Sequence, residues 1–305
     1  MKYTVLTLFP AIIDAFFSAS IIAKAVKRGI IEYRSLDIRD FALDKHKTCD
    51  DAPYGGGPGM LMLPEPLGRA LEAAGVVKKD DRRCSGGAAG AAAPVVGGGG
   101  RPPHGGLEPE GRLPPSFPRT VYLSPSGRPF NQDLARELAA EPELVLLCGR
   151  YEGIDQRIID LYIDDEISVG DYVLSSGEAA ALAVIDATYR LVDGVIAAES
   201  LEEETFSDGL LEYPQFTRPD IYDILRVPGV LLSGHHENIR RWRLEKRVEK
   251  TLRNRPDLIQ RGRERGLFNG ETNSIIDRQV AALEFIDSRL ADRRSGTDSE
   301  GDVTK

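Results

Sequence analysis

The sequence predicts an α/β protein built on a parallel sheet and followed by a small helical domain. Three observations point there. Short apolar runs break repeatedly into small-residue loops, at Val121–Phe130 (VYLSPSGRPF), Leu144–Asp155 (LVLLCGRYEGID) and Ile167–Glu178 (ISVGDYVLSSGE). The stretch Glu178–Leu191 (EAAALAVIDATYRL) is helical in pattern and apolar almost all round, so it should be buried. Strand and helix signals alternate up to about Asp193, after which only helical signals remain.

Taken in order, the chain opens on a strand, Tyr3–Leu8, leading into a helix. Pro10 and Asp14 interrupt the apolar N-terminus and no small-residue cleavage site follows, which argues against a signal peptide. Thr48–Met60 (TCDDAPYGGGPGM) places Asp50 and Asp51 before a glycine-rich turn. Consecutive glycines suit a flexible turn, or a loop whose backbone must approach a ligand. Leu144–Cys148 is long enough for a buried strand, and it delivers Arg150, Tyr151, Glu152 and Asp155 at its carboxyl end. Ligands of open α/β sheets bind at such ends. With Thr48–Met60 counted, four strand-then-loop stretches suggest a site assembled from strand ends. Beyond Asp193, Ile221–Arg226, Glu237–Asn254, Pro256–Arg265 and Ser274–Arg289 read as the helices of the smaller domain.

Composition bounds the class. The 305 residues, 41% hydrophobic and 29% charged, suit one large or two ordinary globular domains. Cys49, Cys84 and Cys148 form neither a disulfide framework nor a zinc motif, and fit a reducing, cytoplasmic compartment. No apolar run approaches the ~18 residues of a membrane span. Cys84–Pro118 holds ten glycines and seven prolines in 35 residues and is expected to be a disordered surface insertion. The expected organisation is therefore a first domain over 1–197 carrying that insertion at about 84–118. A linker over 198–217, a helical domain over 218–290 and a flexible tail over 291–305 complete it.

The net charge of −9 hides an asymmetry. From His235 to Arg265 eleven Lys/Arg face five Asp/Glu, and Arg240, Arg241 and Arg243 surround the only tryptophan, Trp242. Such a run is either a solvated helix face or a phosphate-contacting surface.

Six runs in one order carry a resemblance: RDFALDKHKTCDDAPYGGGPGM (39–60), VYLSPSGRPF, LLCGRYEGIDQR, SVGDYVLSSGE, GLLEYPQFTRP (209–219) and VLLSGHHENIRRWR (230–243). From Met1 to about Arg265 the chain resembles the bacterial tRNA (guanine-N1)-methyltransferases, of the SPOUT class. The resemblance implies a deep trefoil knot in the C-terminal part of the sheet, which nothing in composition or periodicity foretells. It also implies an obligate homodimer with a shared active site, bent S-adenosylmethionine in the knot, and tRNA methylated at N1 of the guanosine 3′ of the anticodon. Magnesium dependence is implied too, although no metal-ligand constellation stands in the sequence.

Residue by residue, the resemblance assigns the cofactor loops to Tyr122, Leu123, Ser124, Pro125 and Gly127, to Gly149, Arg150 and Glu152, and to Val169, Gly170, Tyr172, Leu174, Ser176 and Gly177. Pro58, Tyr151 and Glu152 match the positions that hold the flipped guanine, and Asp50 with Arg240, Arg241 and Arg243 would contact tRNA. The family's general base is an aspartate before a Ser-Phe pair. Here Glu204 stands at that position when aligned back from Phe206, with Glu203 as the alternative. Arg190 matches the partner arginine that would stabilise charge on the guanine oxygen. Ser176 and Ala180 replace the usual glycine and proline of the cofactor loop. Two rival readings stand beside this one. One is a phosphate-cradling enzyme using GGGPGM, against which Leu61-Met62-Leu63 stands where a Lys-Ser or Lys-Thr is needed. The other is a non-catalytic RNA-binding relative that lost the base.

Overall fold

The computed structural model describes residues 1–85, 117–196 and 208–296. Most of the Gly/Pro-rich insertion, the linker glutamates Glu202–Glu204 and the last nine residues lie outside them. The chain divides into two compact units, Met1–Ile196 and Ala197–Lys305.

The first unit is a five-stranded parallel sheet in the order β2-β1-β6-β5-β7. Its strands are β1 (Lys2–Thr7), β2 (Glu32–Asp37), β5 (Arg119–Pro129), β6 (Glu143–Cys148) and β7 (Asp165–Ser168). A separate antiparallel ribbon joins β3 (Asp50–Asp51) to β4 (Leu61–Met62). The strand expected before the glycine-rich turn is thus two residues long and outside the main sheet. Three consecutive glycines and two prolines around it leave few side chains for a longer ladder.

The strands bury both faces, as parallel strands do. Tyr3, Val5, Val121, Leu144 and Leu146 face one side with Ile13 and Phe17 of α1 (Pro10–Phe17), Ile22 of α2 (Ser20–Lys27), Leu138 of α5 (Gln132–Ala139) and Val184 and Ile185 of α7 (Glu178–Tyr189). Leu6, Tyr122, Val145 and Leu147 face the other, with Leu67 and Leu71 of α3 (Pro64–Ala73) and Ile158 and Tyr162 of α6 (Gln156–Tyr162). Each such aliphatic side chain contributes about 1.5–3 kcal/mol.

Two arginines tie the edges of this sheet. Arg82, on α4 (Lys79–Ser85), has a buried guanidinium that donates to Asp164 Oδ1 at 2.8 Å and to the Val77 carbonyl at 2.6 Å. Arg119 donates to Asp165 Oδ2 at 2.6 Å and to Glu137 Oε1 at 2.6 Å, joining β5, β7 and α5.

The pairing of β5 with β7 determines how the chain leaves the sheet. Ile167 is opposed by both Leu123 and Arg128, so residues 124–127 depart from the ladder as a loop and return to it. Gly127 makes the return: a Cβ there would sit 2.4 Å from the Ile167 nitrogen. After β7 the chain skips β5 and docks on β6, where the Gly177 N–H donates to the Gly149 carbonyl at 2.9 Å. That step sets α7 against β1 and β6.

The second unit packs α9 (His236–Asn254), α10 (Pro256–Glu264) and α11 (Gly270–Gly296) around Leu210, Val248, Ile259, Ile275 and Ile276; a short α8 (Gly229–Leu232) precedes them. It is not all helix. Ile221–Arg226, expected as a helix, is a hairpin of β8 (Ile221–Tyr222) and β9 (Leu225–Arg226), turning at Asp223 with φ 55°. Only eight residues separate Pro219 from Pro228, and the second proline disfavours helical geometry just before it. α11 also runs on to Gly296, into the stretch expected as a tail.

Gly127→Ala should destabilise the first unit by about 1–3 kcal/mol, because the methyl meets backbone. A fall in the thermal midpoint by circular dichroism checks this; an unchanged midpoint would contradict it.

Candidate active site

The carboxyl ends of β5, β6 and β7 carry loops that enclose a cleft of about 280 Å³, near the lower end of the ~300–1,000 Å³ typical of small-molecule sites. Its walls are Tyr122–Ser126, Gly149–Gly153, Ile167–Gly170 and Tyr172–Gly177, with Ala180 from α7. The walls close tightly here because two residues lack side chains. A Cβ on Gly177 would lie 2.8 Å from the Cys148 Cα, and one on Gly149 would lie 2.9 Å from the Tyr122 hydroxyl. The Tyr122 phenol is pushed up to about 12, first by burial and then by the Glu166 charge, so it stays neutral. The cleft therefore offers backbone groups, the neutral Tyr122 hydroxyl and the hydroxyls of Ser124, Ser126, Ser168, Ser175 and Ser176.

A second layer covers the mouth. The Glu152 N–H donates to the Met60 carbonyl at 3.1 Å, and the Met62 N–H donates to the Gly153 carbonyl at 3.0 Å. The glycine-rich loop is thereby strapped to the loop after β6. Gly59, at φ 86°, lies so close that a Cβ would be 2.3 Å from Cγ of Glu152. Tyr151 adopts φ 58°, unusual for a bulky residue, and its ring is 48% exposed. The Asp50 carboxylate lies within hydrogen-bonding reach of its hydroxyl. Burial, then the Asp50 charge and this hydrogen bond, raise the phenol above the ordinary tyrosine range, while Arg39 and Arg150 oppose the rise.

Under the cleft, Thr7 Oγ1 donates to the buried Glu178 carboxylate at 2.5 Å and accepts from the Phe9 N–H at 2.8 Å. Phe9 in turn lies under two guanidiniums, with Cζ of Arg150 at 5.1 Å and Cζ of Arg39 at 5.5 Å from the ring centre.

Of the residues expected around a cofactor, all but Gly127 line the cleft; Gly127 packs behind it on β7. Asp50, Tyr151 and Glu152 meet at the mouth, and Pro58 is exposed in the loop strapped over it. Arg190 is not brought there. It caps the far end of α7, about 20 Å along the helix from Gly177. Glu204 and Glu203 lie outside the described residues. Arg240, Arg241 and Arg243 sit on α9 in the second unit. Arg240 pairs with Glu237 at 2.7 Å and Glu271 at 2.9 Å, Arg241 lies 3.5 Å from Glu245, and Arg243 lies over the Tyr213 ring. Sequence reasoning missed Arg39, Phe9 and Gly59. The available cue was position: Phe9 comes directly after β1, at the same edge of the sheet as the other loops.

Among the described residues no three His, Cys, Asp or Glu side chains are grouped to hold a metal ion. No helix there is long and apolar enough to cross a membrane.

A parallel α/β sheet with a glycine-lined cleft at its strand ends defines a cofactor-dependent enzyme class. The family described as tRNA (Guanine-1)-methyltransferase TrmD matches residues 1–84 and 112–261. The tRNA (guanine-N(1)-)-methyltransferase of Treponema denticola is 54% identical over 276 residues, covering 90% of this chain and 98% of that protein. Its counterpart in Treponema pallidum is 51% identical over 276 residues, 90% of this chain and 95% of its own. The Borreliella burgdorferi protein of that name is 51% identical over 260 residues, 85% and 92% respectively. The chain belongs to the tRNA (guanine-1)-methyltransferase family.

Removing the Asp50 charge should return Tyr151 toward ordinary tyrosine behaviour. In ultraviolet titrations read as differences from Tyr151→Phe, the Tyr151 step should move to lower pH in Asp50→Asn. An unmoved step would break the assigned contact.

Proposed function

We propose that this chain transfers a methyl group from S-adenosylmethionine to N1 of the guanosine immediately 3′ of the anticodon, position 37, in tRNA. The observation that carries the reading is the arrangement at the β5–β7 ends: a glycine-lined cleft with Tyr151, Glu152 and Asp50 gathered at its mouth. S-adenosylmethionine supplies the methyl group as a sulfonium. The cleft suits it, since its walls combine loop backbone, serine hydroxyls and the ring of Tyr122.

The chain's own groups do the rest. Tyr151 and Pro58 flank the guanine taken from its stack. Glu152, fixed by its N–H and by contact with Gly59, accepts from the N–H groups of the Watson–Crick edge. Glu204 would take the proton from guanine N1, leaving that nitrogen as the nucleophile for the methyl group the cofactor supplies. Arg190 stabilises the negative charge drawn onto the guanine oxygen. Asp50 and the α9 arginines Arg240, Arg241 and Arg243 contact the tRNA body.

The finer reading includes the deep trefoil knot, a homodimer with a shared active site and a cytoplasmic location. Its support is local. The loop at 124–127 and the crossing from β7 past β5 to β6 are the elements such a knot requires. Arg190, a helix length from the cleft of its own chain, suits a site completed by the partner subunit. Cys49 and Cys148 are buried free thiols, compatible with a reducing compartment. Magnesium dependence is carried in this reading by the family resemblance alone.

Wild-type protein should methylate an unmodified tRNA transcript with guanosine at the target and leave the adenosine version untouched, measured with labelled S-adenosylmethionine. Glu204→Gln should lose about 10²- to 10⁴-fold in rate. Full activity in that variant would move the base to Glu203 or elsewhere. Inactive wild type that still binds tRNA would favour the non-catalytic relative.

Mixing two inactive variants, Gly177→Leu and Arg190→Ala, tests the shared site. Mixed dimers should regain activity at one of their two sites. No recovery in verified mixed dimers would place Arg190 on its own chain's cleft.

A further inference from the structure

We propose that Phe9, Arg39 and Arg150 form a phosphate site that grips the tRNA backbone beside the target nucleotide. The inference rests on the tRNA reading above and adds a contact that it does not contain.

Two guanidiniums share one aromatic ring, at 5.5 Å and 5.1 Å from its centre. Like charges gathered on one ring repel unless an anion joins them. The local anions do little. Asp37 is the carboxylate near Arg39, at a long 3.9 Å, and no carboxylate pairs with Arg150 among the described residues. Phe9 is itself 37% exposed, so the pair is open to a ligand.

The ring has a second positive neighbour. Phe9 is the N-cap of α1, which has no side-chain cap and no acidic residue in its first turn. Pro10 carries no N–H and the Ile12 N–H is bonded to the Phe9 carbonyl, so it is the positive helix end that favours an anion. Arg39 reaches this end directly, since its Nη1 donates to the Leu8 carbonyl at 2.5 Å. A phosphate, accepting bonds from two planar guanidinium forks beside a positive helix end, is the ligand this group suits.

Position favours RNA phosphate over the cofactor's carboxylate. Arg39 does not line the cleft, whereas Arg150 lines it and is bridged by its backbone to Ser176. Both arginines instead act on the Tyr151 hydroxyl at the mouth. A nucleotide resting on Tyr151 would bring its own phosphate to them. The Phe9 N–H to Thr7 to Glu178 chain fixes the platform to β1 and α7.

The test compares wild type with Arg39→Ala, Arg39→Lys and Phe9→Leu on one unmodified tRNA transcript, with thermal midpoints recorded for each. Arg39→Ala should raise KM for tRNA about tenfold and flatten the slope of log affinity against log salt by about 0.7–0.9, the share of one phosphate contact. Arg39→Lys should restore part of the affinity, because lysine keeps the charge without the planar fork. Phe9→Leu, which keeps both charges, should weaken tRNA binding with the same sign and serves if Arg39→Ala fails to fold. S-adenosylmethionine affinity by calorimetry should stay within about twofold, since the site is outside the cleft. An unchanged salt slope in Arg39→Ala, or an unchanged tRNA affinity in Phe9→Leu, overturns the site. So does a loss confined to S-adenosylmethionine, which would assign the arginines to the cofactor carboxylate. Inactive wild type would overturn the parent function instead, and the binding slopes would still judge this site.

Discussion

Backbone pressed against backbone at the carboxyl ends of β5, β6 and β7 is the constraint on which this site depends. Gly127 lies on Ile167, and Gly177 lies on Cys148 and Gly149. At both places the neighbour is main chain, which cannot swing aside as a flexible side chain can. The three loops are consequently fixed relative to one another, and the cleft they enclose is largely pre-formed. A pre-formed cleft spends little of its binding free energy on ordering, which suits a reaction that needs two groups held in line.

From that platform the site grows outward by hydrogen bonds. The strap at Met60–Met62 docks on Glu152–Asp155, and the Tyr151–Asp50 contact closes the mouth. The layers differ in exposure. Cleft residues such as Tyr122 and Leu123 are buried, whereas Tyr54 and Pro58 of the glycine-rich loop are open to solvent. A rigid floor under an exposed rim fits a small cofactor below and a large polymer above.

Much of this was legible in the sequence. The apolar runs ending in Gly149 and Gly170 marked strand ends, because burial on both faces leaves continuous Val/Leu runs. The cleft residues came from those ends and from the family resemblance. Other features depended on tertiary context. The hairpin at Ile221–Arg226 carries strong apolar residues that also suit a helix, and its flanking prolines decided the outcome. Asp50 and Asp51 belong to a ribbon whose partner lies across the glycine loop. Arg39 and Phe9 are thirty residues apart, and only the β1–β2 pairing brings them together. The placement of Arg190 depends on the length of α7, and sequence position alone does not say which subunit's cleft it serves.

The two arginines at the sheet edge have a wider consequence. Arg82 lies just before the Gly/Pro-rich segment and Arg119 just after it, and they bind the adjacent carboxylates Asp164 and Asp165. The segment therefore leaves and rejoins the domain at two neighbouring anchored points. For a chain held so at its ends, closure entropy grows only logarithmically, by about 0.6 kcal/mol per doubling of length. The sheet is nearly indifferent to what is strung between those anchors. The family match likewise stops at residue 84 and resumes at 112, just inside the two anchors.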